Sequence, residues 1–182
     1  VGPYDRAKPF SVKLNLRVEQ SYDRAVVFHR SRAWSDAASR GYELLIEGGK
    51  LSWALINFWP GNAIRVKSKS VFLLHSWENV TVTYDGSSKA SGLKIFVNGA
   101  EQEVEVIKDH LTRKIYYNRT DKKGMSVIIG ARFRDRGLKN GQVDEFYVYD
   151  KELFPSEVKA LVKETKLERI EKDVYLSRVN KS

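Results

Sequence analysis

Hydrophobic and polar residues alternate along much of the chain, and this period of two predicts β-strands with one buried face. In the segment Asn79–Tyr84 every second residue is Val or Tyr, and the residues between them are Asn or Thr. The same alternation recurs in Leu14–Val18, Leu93–Val97 and Val104–Val106. The pattern therefore favours a protein built mainly from amphipathic strands.

Glycine-containing turns separate these segments. Asn98-Gly99 lies between two alternating runs and is the strongest short-range hairpin signal in the chain. Gly48-Gly49 and Asp85-Gly86 end neighbouring runs. Roughly ten strand candidates follow one another at the spacing typical of a sandwich. Because no helical pattern separates them, the sequence predicts an all-β, antiparallel β-sandwich rather than parallel βαβ units.

One helix is predicted, toward the C-terminus. Pro155 suits a first helical position, and Glu157 lies in the first turn, where the helix dipole favours negative charge. Beyond it the sequence is charged, with apolar residues at helical spacing, which predicts a helical tail. The tail either docks on a neighbouring domain or is a frayed linker. The predicted division is therefore a sandwich over 1–162 and a charged tail or linker over 163–182.

Composition narrows the function classes. The chain has 182 residues, a length typical of one domain, and no Cys, which excludes a disulfide scaffold, a Cys-ligated zinc site and a thiol nucleophile. No apolar run is long enough to span a membrane. The chain opens on Val1-Gly2-Pro3 rather than Met, so we expect it to be a piece of a longer protein. As an isolated domain we expect it to be monomeric.

The net charge of +9 is concentrated in residues 113–139. This segment is either a patch for an anionic partner, such as an acidic glycan, nucleic acid or an acidic neighbouring domain, or a solvated basic loop. Few aromatic residues are interleaved with its basic residues, so we expect no specific binding to nucleic acid.

Three segments resemble the laminin-G-like, concanavalin A-like domains. Val143–Asp150, with Gly141 before it and Pro155 after it, is similar to the closing strand and helix of that family. Trp77–Gly86 and Leu93–Gly99 resemble its Trp-initiated strand and the hairpin that follows. The resemblance implies a jelly-roll sandwich with a short C-terminal helix.

A narrower resemblance covers roughly residues 4 to 162. Ala25–Ser31, Ser39–Leu45, Phe58–Val66 and Arg132–Gly137 resemble the laminin-G-like insert of large planctomycete proteins that also carry a cytochrome c-like haem domain. This resemblance implies a module within a larger exported bacterial protein, in the periplasm or outside the cell. One position departs from the family pattern: Phe154 stands where a Ser usually caps the helix, so the helix is expected to rely on packing.

No carboxylate motif for glycan cleavage is apparent. Enzymes of this fold carry acidic residues on one strand face as Glu-x-Asp-x-Glu or Glu-x-Asp-x-x-Glu, and neither run occurs. Glu101, Glu103 and Glu105 alternate, but on the predicted solvent face of a hairpin strand. Asp144 and Glu145 are adjacent and would point to opposite faces unless a bulge intervenes. The chain is therefore predicted not to be an enzyme.

The resemblance implies one metal site. Many laminin-G-like domains hold a structural Ca²⁺ through the Asp of the closing strand, which is Asp144 here, and Asp5 would be a second ligand. Calcium prefers hard oxygen ligands, including backbone carbonyls that leave no sequence trace. The alternative is that Asp144 caps a neighbouring turn through hydrogen bonds.

Candidate sugar-binding residues lie in a turn with an aromatic side chain. Trp59 would offer a platform for the C–H face of a sugar, and Asn62 and Arg65 would donate hydrogen bonds at its rim. Trp34 and Arg40 are a second set of the same types. The alternative is that Trp59 covers one end of the core and Arg65 pairs with a carboxylate.

Arg132, Arg134 and Arg136 alternate and would line one strand face, where they could clamp an anion or pair with Asp135. The sequence thus predicts a non-catalytic module that binds a carbohydrate or docks a sister domain. An inert structural spacer, or a glycan hydrolase of the same fold, is the alternative.

Overall fold

The computed structural model describes residues 4–31, 40–115 and 126–164. These residues form eleven β-strands, one short 3₁₀ helix (Ala90–Gly92) between β6 and β7, and one C-terminal α-helix. The strands are β1 (Phe10–Arg17), β2 (Arg24–Ser31), β3 (Gly41–Glu47), β4 (Lys50–Phe58), β5 (Asn62–Ser68), β6 (Glu78–Tyr84), β7 (Leu93–Val97), β8 (Ala100–Glu101), β9 (Val104–His110), β10 (Ile128–Ile129) and β11 (Gln142–Tyr149).

The strands form two antiparallel sheets. The five-stranded sheet has the order β11-β1-β6-β7-β8, and the six-stranded sheet has the order β10-β2-β3-β4-β5-β9. Within the described residues, all strand pairs of the ladders are antiparallel. The predicted all-β sandwich is confirmed.

Aromatic side chains link the two sheets across the core. Trp53 of β4 is fully buried, and its Nε1–H donates a 3.0 Å hydrogen bond to the backbone oxygen of Thr83 in β6. Phe10 of β1 packs edge-on against Trp53, with ring centroids 5.8 Å apart. A buried indole whose N–H is satisfied contributes large apolar area without an unpaired donor.

The predicted hairpin turns are present. Asn98 and Gly99 both have positive φ, 52° and 80°, and connect β7 to β8, as a two-residue turn of this type requires. Gly48 and Gly49 connect β3 to β4, with φ of 61° and 73°. These positions favour glycine or asparagine because the left-handed region is costly for other residues.

One prediction about the acidic residues was wrong. Glu101 lies in β8 of the five-stranded sheet, whereas Glu105 lies in β9 of the six-stranded sheet. Glu103 lies between the strands, where the chain crosses from one sheet to the other. The three side chains are exposed, as predicted, but they do not share one hairpin strand, because the crossing interrupts the alternation.

The C-terminal helix, α1, spans 155–164, where the described residues end. It begins at Pro155, as predicted. The missing Ser cap is partly replaced, since the Glu157 carboxylate accepts a 2.8 Å hydrogen bond from the N–H of Phe154, which is half of a capping box. Val158 packs against Phe96 and Leu153 on the outer face of the five-stranded sheet.

The predicted tail after 164 lies outside the described residues. None of the described helical segments has the length and apolarity that crossing a bilayer requires.

Candidate functional site

The outer face of the six-stranded sheet carries charged side chains that the sheet register brings together. Glu43 and Glu47 lie four residues apart on β3 and therefore share a face. Glu43 is paired with Ala54 of β4, and Ala54 is paired with Arg65 of β5. The short Ala54 side chain lets the Arg65 guanidinium reach across β4 to Glu43.

Three guanidinium groups and three carboxylates alternate on this face in a closed ring. In order around this charged ring, the members are Arg65, Glu43, Arg132, Asp135, Arg24 and Glu47.

The contacts in the charged ring are direct. Arg65 Nη1 lies 3.0 Å from Glu47 Oε2, and Arg24 Nη1 lies 2.6 Å from Glu47 Oε1. Arg24 also binds Asp135 with two parallel hydrogen bonds, of 2.9 and 3.0 Å. Bidentate contacts of this kind fix orientation as well as supply energy.

The inner half of the charged ring is buried. The side chains of Glu43, Arg132 and Arg65 are 1%, 3% and 6% exposed. Burial tends to raise the pKa of Asp135, but hydrogen bonds from Arg24 and Arg132 hold it well below its ordinary value. The Asp135 carboxylate therefore stays ionised near neutral pH between its two guanidinium partners.

Trp59 lies on the same outer face. It packs against Ala54, Ile56 and Ala63, and the Arg65 guanidinium carbon lies 4.1 Å from its ring centroid. The indole is only partly buried. Trp59 therefore covers part of the outer face of the sheet rather than one end of the core, and part of the indole stays accessible. Arg65 pairs with carboxylates, as the alternative interpretation predicted.

The side chain of Asn62 forms hydrogen bonds within the protein. Its Nδ2 donates a 2.7 Å hydrogen bond to Thr112 Oγ1, and its Oδ1 accepts from the N–H groups of Thr112 and Arg113 at 3.2 and 3.0 Å. Asn62 is 8% exposed. These bonds anchor the segment after β9 and leave the amide little capacity for a ligand.

Of the second predicted set, Trp34 and Arg40, only Arg40 lies within the described residues. Arg40 is half-buried, and its Nε donates a 3.1 Å hydrogen bond to the backbone oxygen of Asn57 near the end of β4. Arg40 therefore lies at the same end of the sheet as Trp59. Trp34 lies outside the described residues.

The prediction that Arg132 and Arg134 line a strand face was wrong. Residues 131–136 form a turn, in which the N–H of Asp135 donates a 3.1 Å hydrogen bond to Arg132 O and Arg134 has a φ of 58°. Arg132 enters the charged ring, whereas Arg134 is exposed with its guanidinium 5.3 Å from the ring centroid of Phe133. A turn reverses the backbone, so alternate residues no longer share a face.

The two predicted calcium ligands are engaged in local hydrogen bonds. A register shift in the β1–β11 ladder and a φ of 51° at Glu145 mark a bulge. There Asp144 Oδ1 accepts a 2.8 Å hydrogen bond from the N–H of Glu145. Asp5 Oδ1 accepts from the N–H of Ile115 at 3.0 Å.

These bonds match the capping alternative. Among residues 4–31, 40–115 and 126–164, no group of three or more His, Cys, Asp or Glu side chains is arranged to hold a metal ion. The predicted site uses two Asp side chains and backbone carbonyls, so the calcium site stays a prediction.

Sequence reasoning missed Arg24, Glu43 and Glu47 as parts of the site. The available signal was a pair of Glu residues four apart in Gly41–Glu47, an otherwise hydrophobic strand. A charge inside such a strand needs a partner, but the identity of that partner depends on the register with β4 and β5.

Several solved structures are similar to this chain. The binding domain of Paraclostridial Mosquitocidal Protein 1 has a TM-score of 0.57 and 16% identity, covering 87% of this chain and 38% of that structure. The botulinum neurotoxin serotype G binding domain has a TM-score of 0.56 and 16% identity, covering 89% and 38%. The binding domain of botulinum neurotoxin DC in complex with SialylT has a TM-score of 0.56 and 14% identity, covering 87% and 36%.

The chain thus spans less than two fifths of these structures, and likeness at such identity shows the fold alone. No curated protein sequence matches it. The narrower resemblance to planctomycete inserts stays a prediction. The family model described as the concanavalin A-like lectin/glucanases superfamily, Laminin_G_3, matches residues 3–159. The chain therefore belongs to the laminin-G-like group of the concanavalin A-like lectin/glucanase superfamily.

Proposed function

We propose that this chain is a non-catalytic module that binds a carbohydrate on the outer face of its six-stranded sheet. The observation that carries the proposal is the placement of Trp59, a partly exposed indole fixed against the sheet by the Arg65 guanidinium at 4.1 Å. An aromatic side chain that is already held in place loses little conformational entropy when a ligand binds.

The chemistry around Trp59 suits a sugar. A partly exposed indole offers an apolar face to sugar C–H groups and a polar edge to water. Arg40 is half-buried at the same end of the sheet, and the exposed Arg134 lies on the turn that Arg132 fastens to the charged ring. Guanidinium groups bind carboxylates in bidentate fashion, so an acidic glycan is the ligand class that these residues favour.

The state of the carboxylates on this face supports binding rather than hydrolysis. Glycoside hydrolysis needs a protonated acid of raised pKa beside a second carboxylate. Here Glu43, Glu47 and Asp135 are each held between two guanidinium groups, and the pKa of Asp135 is lowered. Because its pKa is lowered, Asp135 is not suited to act as a general acid near neutral pH.

The similar structures support the same class of function. They are described as binding domains of toxins, and one of them is in complex with SialylT. Those descriptions concern other proteins, and they make a glycan or receptor-like partner the first ligand class to test for this chain. The family resemblance further implies that the module belongs to a larger exported bacterial protein.

The test is an array of neutral, sialylated and uronic-acid oligosaccharides probed with the purified chain, followed by calorimetric titration of the strongest hit. We expect Trp59→Ala to weaken binding at least about tenfold, equivalent to about 1.4 kcal/mol. Trp77→Ala is the matched control, because Trp77 is also partly exposed but precedes β6 of the other sheet. Arg134→Gln should weaken binding to acidic glycans only.

Thermal unfolding of each variant shows whether lost binding reflects lost folding, and Trp59→Phe retains an aromatic ring if Trp59→Ala is unstable. The proposal is overturned if the wild type binds no glycan on the array, or if Trp59→Ala binds as well as Trp77→Ala. Release of reducing sugar by the purified chain would instead favour the hydrolase alternative.

A further inference from the structure

An apolar cleft lies at the end of the sandwich formed by the β1–β2 and β3–β4 turns. Its volume is about 230 Å³, and its apolar lining includes Val18, Ile46, Phe72 and Leu74. The Gly48-Gly49 turn forms another part of its lining. The absence of side chains on these two glycines leaves the cleft open between the β1–β2 turn and the segment after β5.

The backbone around the cleft is already hydrogen-bonded. The N–H of Gly48 donates to Asp23 O at 2.8 Å, and the N–H of Gly49 donates to Tyr22 O at 3.0 Å. The N–H of Phe72 donates to Gly49 O at 2.7 Å. Because these N–H groups are already bonded within the protein, they hold the walls of the cleft in place and are not available to a ligand. The remaining lining favours an apolar group.

The size of the cleft limits what it accepts. Sites for complete drug-sized ligands occupy roughly 300–1,000 Å³. A cleft of about 230 Å³ is below that range and accommodates one apolar part of a ligand, such as a phenyl ring or a short alkyl chain. The rest of the ligand must then lie in the adjoining space.

A second, more polar cleft of about 370 Å³ adjoins the first, and both are lined by Gln20, Ser21 and Tyr22. Its charged lining residues are Asp23, Arg24, Arg136 and Lys139, so three cations face one carboxylate. The two clefts therefore share the β1–β2 turn as a common wall, with a mainly apolar lining on one side and a charged lining on the other.

The cations of the second cleft are not neutralised by their neighbours. Arg136 lies 4.0 Å from Asp23, with side chains that are 72% and 97% exposed, and a pair so exposed contributes little. Among the described residues, Lys139 has no ion-pair partner. Arg24 also lines this cleft, but its charge is already balanced within the charged ring.

We propose that the two clefts form one site for a small amphipathic carboxylate. Its apolar group lies among Val18, Ile46 and Phe72, and its carboxylate lies against Arg136 and Lys139. The nine residues of β4 separate this end of the sheet from Trp59, a distance of roughly 30 Å at 3.3 Å per residue. The apolar cleft is therefore separate from the Trp59 surface, whereas Arg136 of the cationic cleft lies on the same turn as Arg134.

The probe is 4-phenylbutyrate, titrated into ¹⁵N-labelled protein while the backbone amide signals of Gly48 and Gly49 are followed. We expect saturable shifts with a Kd of roughly 0.1–1 mM, typical of a small ligand that fills one apolar cleft and makes one ionic contact. The neutral 4-phenylbutyramide should bind at least about threefold more weakly, because it lacks the carboxylate.

Two matched variants test the apolar cleft. Leu74→Glu places a carboxylate in the lining and should weaken 4-phenylbutyrate binding at least tenfold. Leu73→Glu adds the same charge at the neighbouring position, where the side chain is 61% exposed and does not line the cleft, and should leave the Kd within about twofold. Both positions are partly exposed, so both variants are expected to fold.

Lys139→Gln tests the cationic cleft and should weaken 4-phenylbutyrate binding while leaving the amide unaffected. Lys8→Gln, at an exposed position before β1, is its matched control. The proposal is overturned if no saturable shift occurs up to 20 mM, if acid and amide bind equally, or if Leu74→Glu behaves like Leu73→Glu.

Discussion

Substituting Glu43 by Gln removes one charge from the centre of the charged ring. The Glu43 side chain is 1% exposed and contacts both Arg65 and Arg132, which are themselves almost completely buried. Gln has nearly the same shape, so the change removes charge without opening a cavity. The variant therefore measures what the ring contributes to folding.

The expected cost follows from this burial. Removing one partner of a buried ion pair costs about 3–5 kcal/mol, because the remaining charge is left uncompensated away from water. Arg65 keeps Glu47 and Arg132 keeps Asp135, which places the expected loss near the lower limit, at about 3 kcal/mol. For a domain of this size that corresponds to a decrease in Tm of roughly 6–12 °C.

The measurement is urea denaturation followed by tryptophan fluorescence and circular dichroism, with Glu105→Gln as the control. Glu105 also forms an ion pair, with Lys67 at 3.2 Å, but its side chain is 45% exposed, so its loss should cost less than about 1 kcal/mol. Trypsin provides a second readout, because a loosened turn should be cleaved faster at the exposed Arg134 and Arg136.

The reasoning is refuted if Glu43→Gln is no more destabilising than Glu105→Gln. Unchanged trypsin cleavage in a destabilised variant would show that the ring does not hold the 131–136 turn in place.

Three further predictions concern stability. Burial lowers the pKa of His29 from 6.5, and hydrogen bonds from arginines lower the pKa of Asp135 from 3.8 despite burial. Each group therefore contributes most to stability above its ordinary pKa, so the urea midpoint should decrease below pH 6.5 and decrease again below pH 3.8. His29→Gln should reduce the first decrease, and Asp135→Asn should reduce the second. Trp53→Phe should cost about 2–3 kcal/mol in urea denaturation, because Thr83 O loses its donor and a void forms. Phe154→Ser should raise the free energy of unfolding by about 1 kcal/mol by supplying the missing N-cap.

The elements that the sequence predicted correctly depend on local backbone properties. The alternation in Asn79–Tyr84 places β6, and Asn98-Gly99 places the β7–β8 turn, because side-chain alternation and left-handed φ are decided within a few residues. Pro155 marks the start of α1 for the same reason. None of these inferences requires knowledge of a distant partner.

The predictions that failed involve segments whose backbone direction changes. Alternation at Arg132 and Arg134 suggested one strand face, but the residues lie in a turn that Asp135 closes onto Arg132. Alternation at Glu101 and Glu105 suggested one strand, but the chain crosses between the sheets there. Alternation along the sequence does not show where the backbone reverses, so alternating residues on either side of a turn do not share a strand face.

The sequence by itself determined the strand segments, their turns and the class of sandwich, because alternation and glycine preference act over a few neighbouring residues. Only the tertiary structure decided the charged ring, in which Glu43 contacts Arg132 from 89 residues away along the chain. The ring as a whole depends on the register of β2 to β5 and on the short side chain of Ala54, which lets Arg65 reach Glu43. A charged residue in a hydrophobic strand indicates that a partner of opposite charge is needed, but the identity of that partner is set by packing.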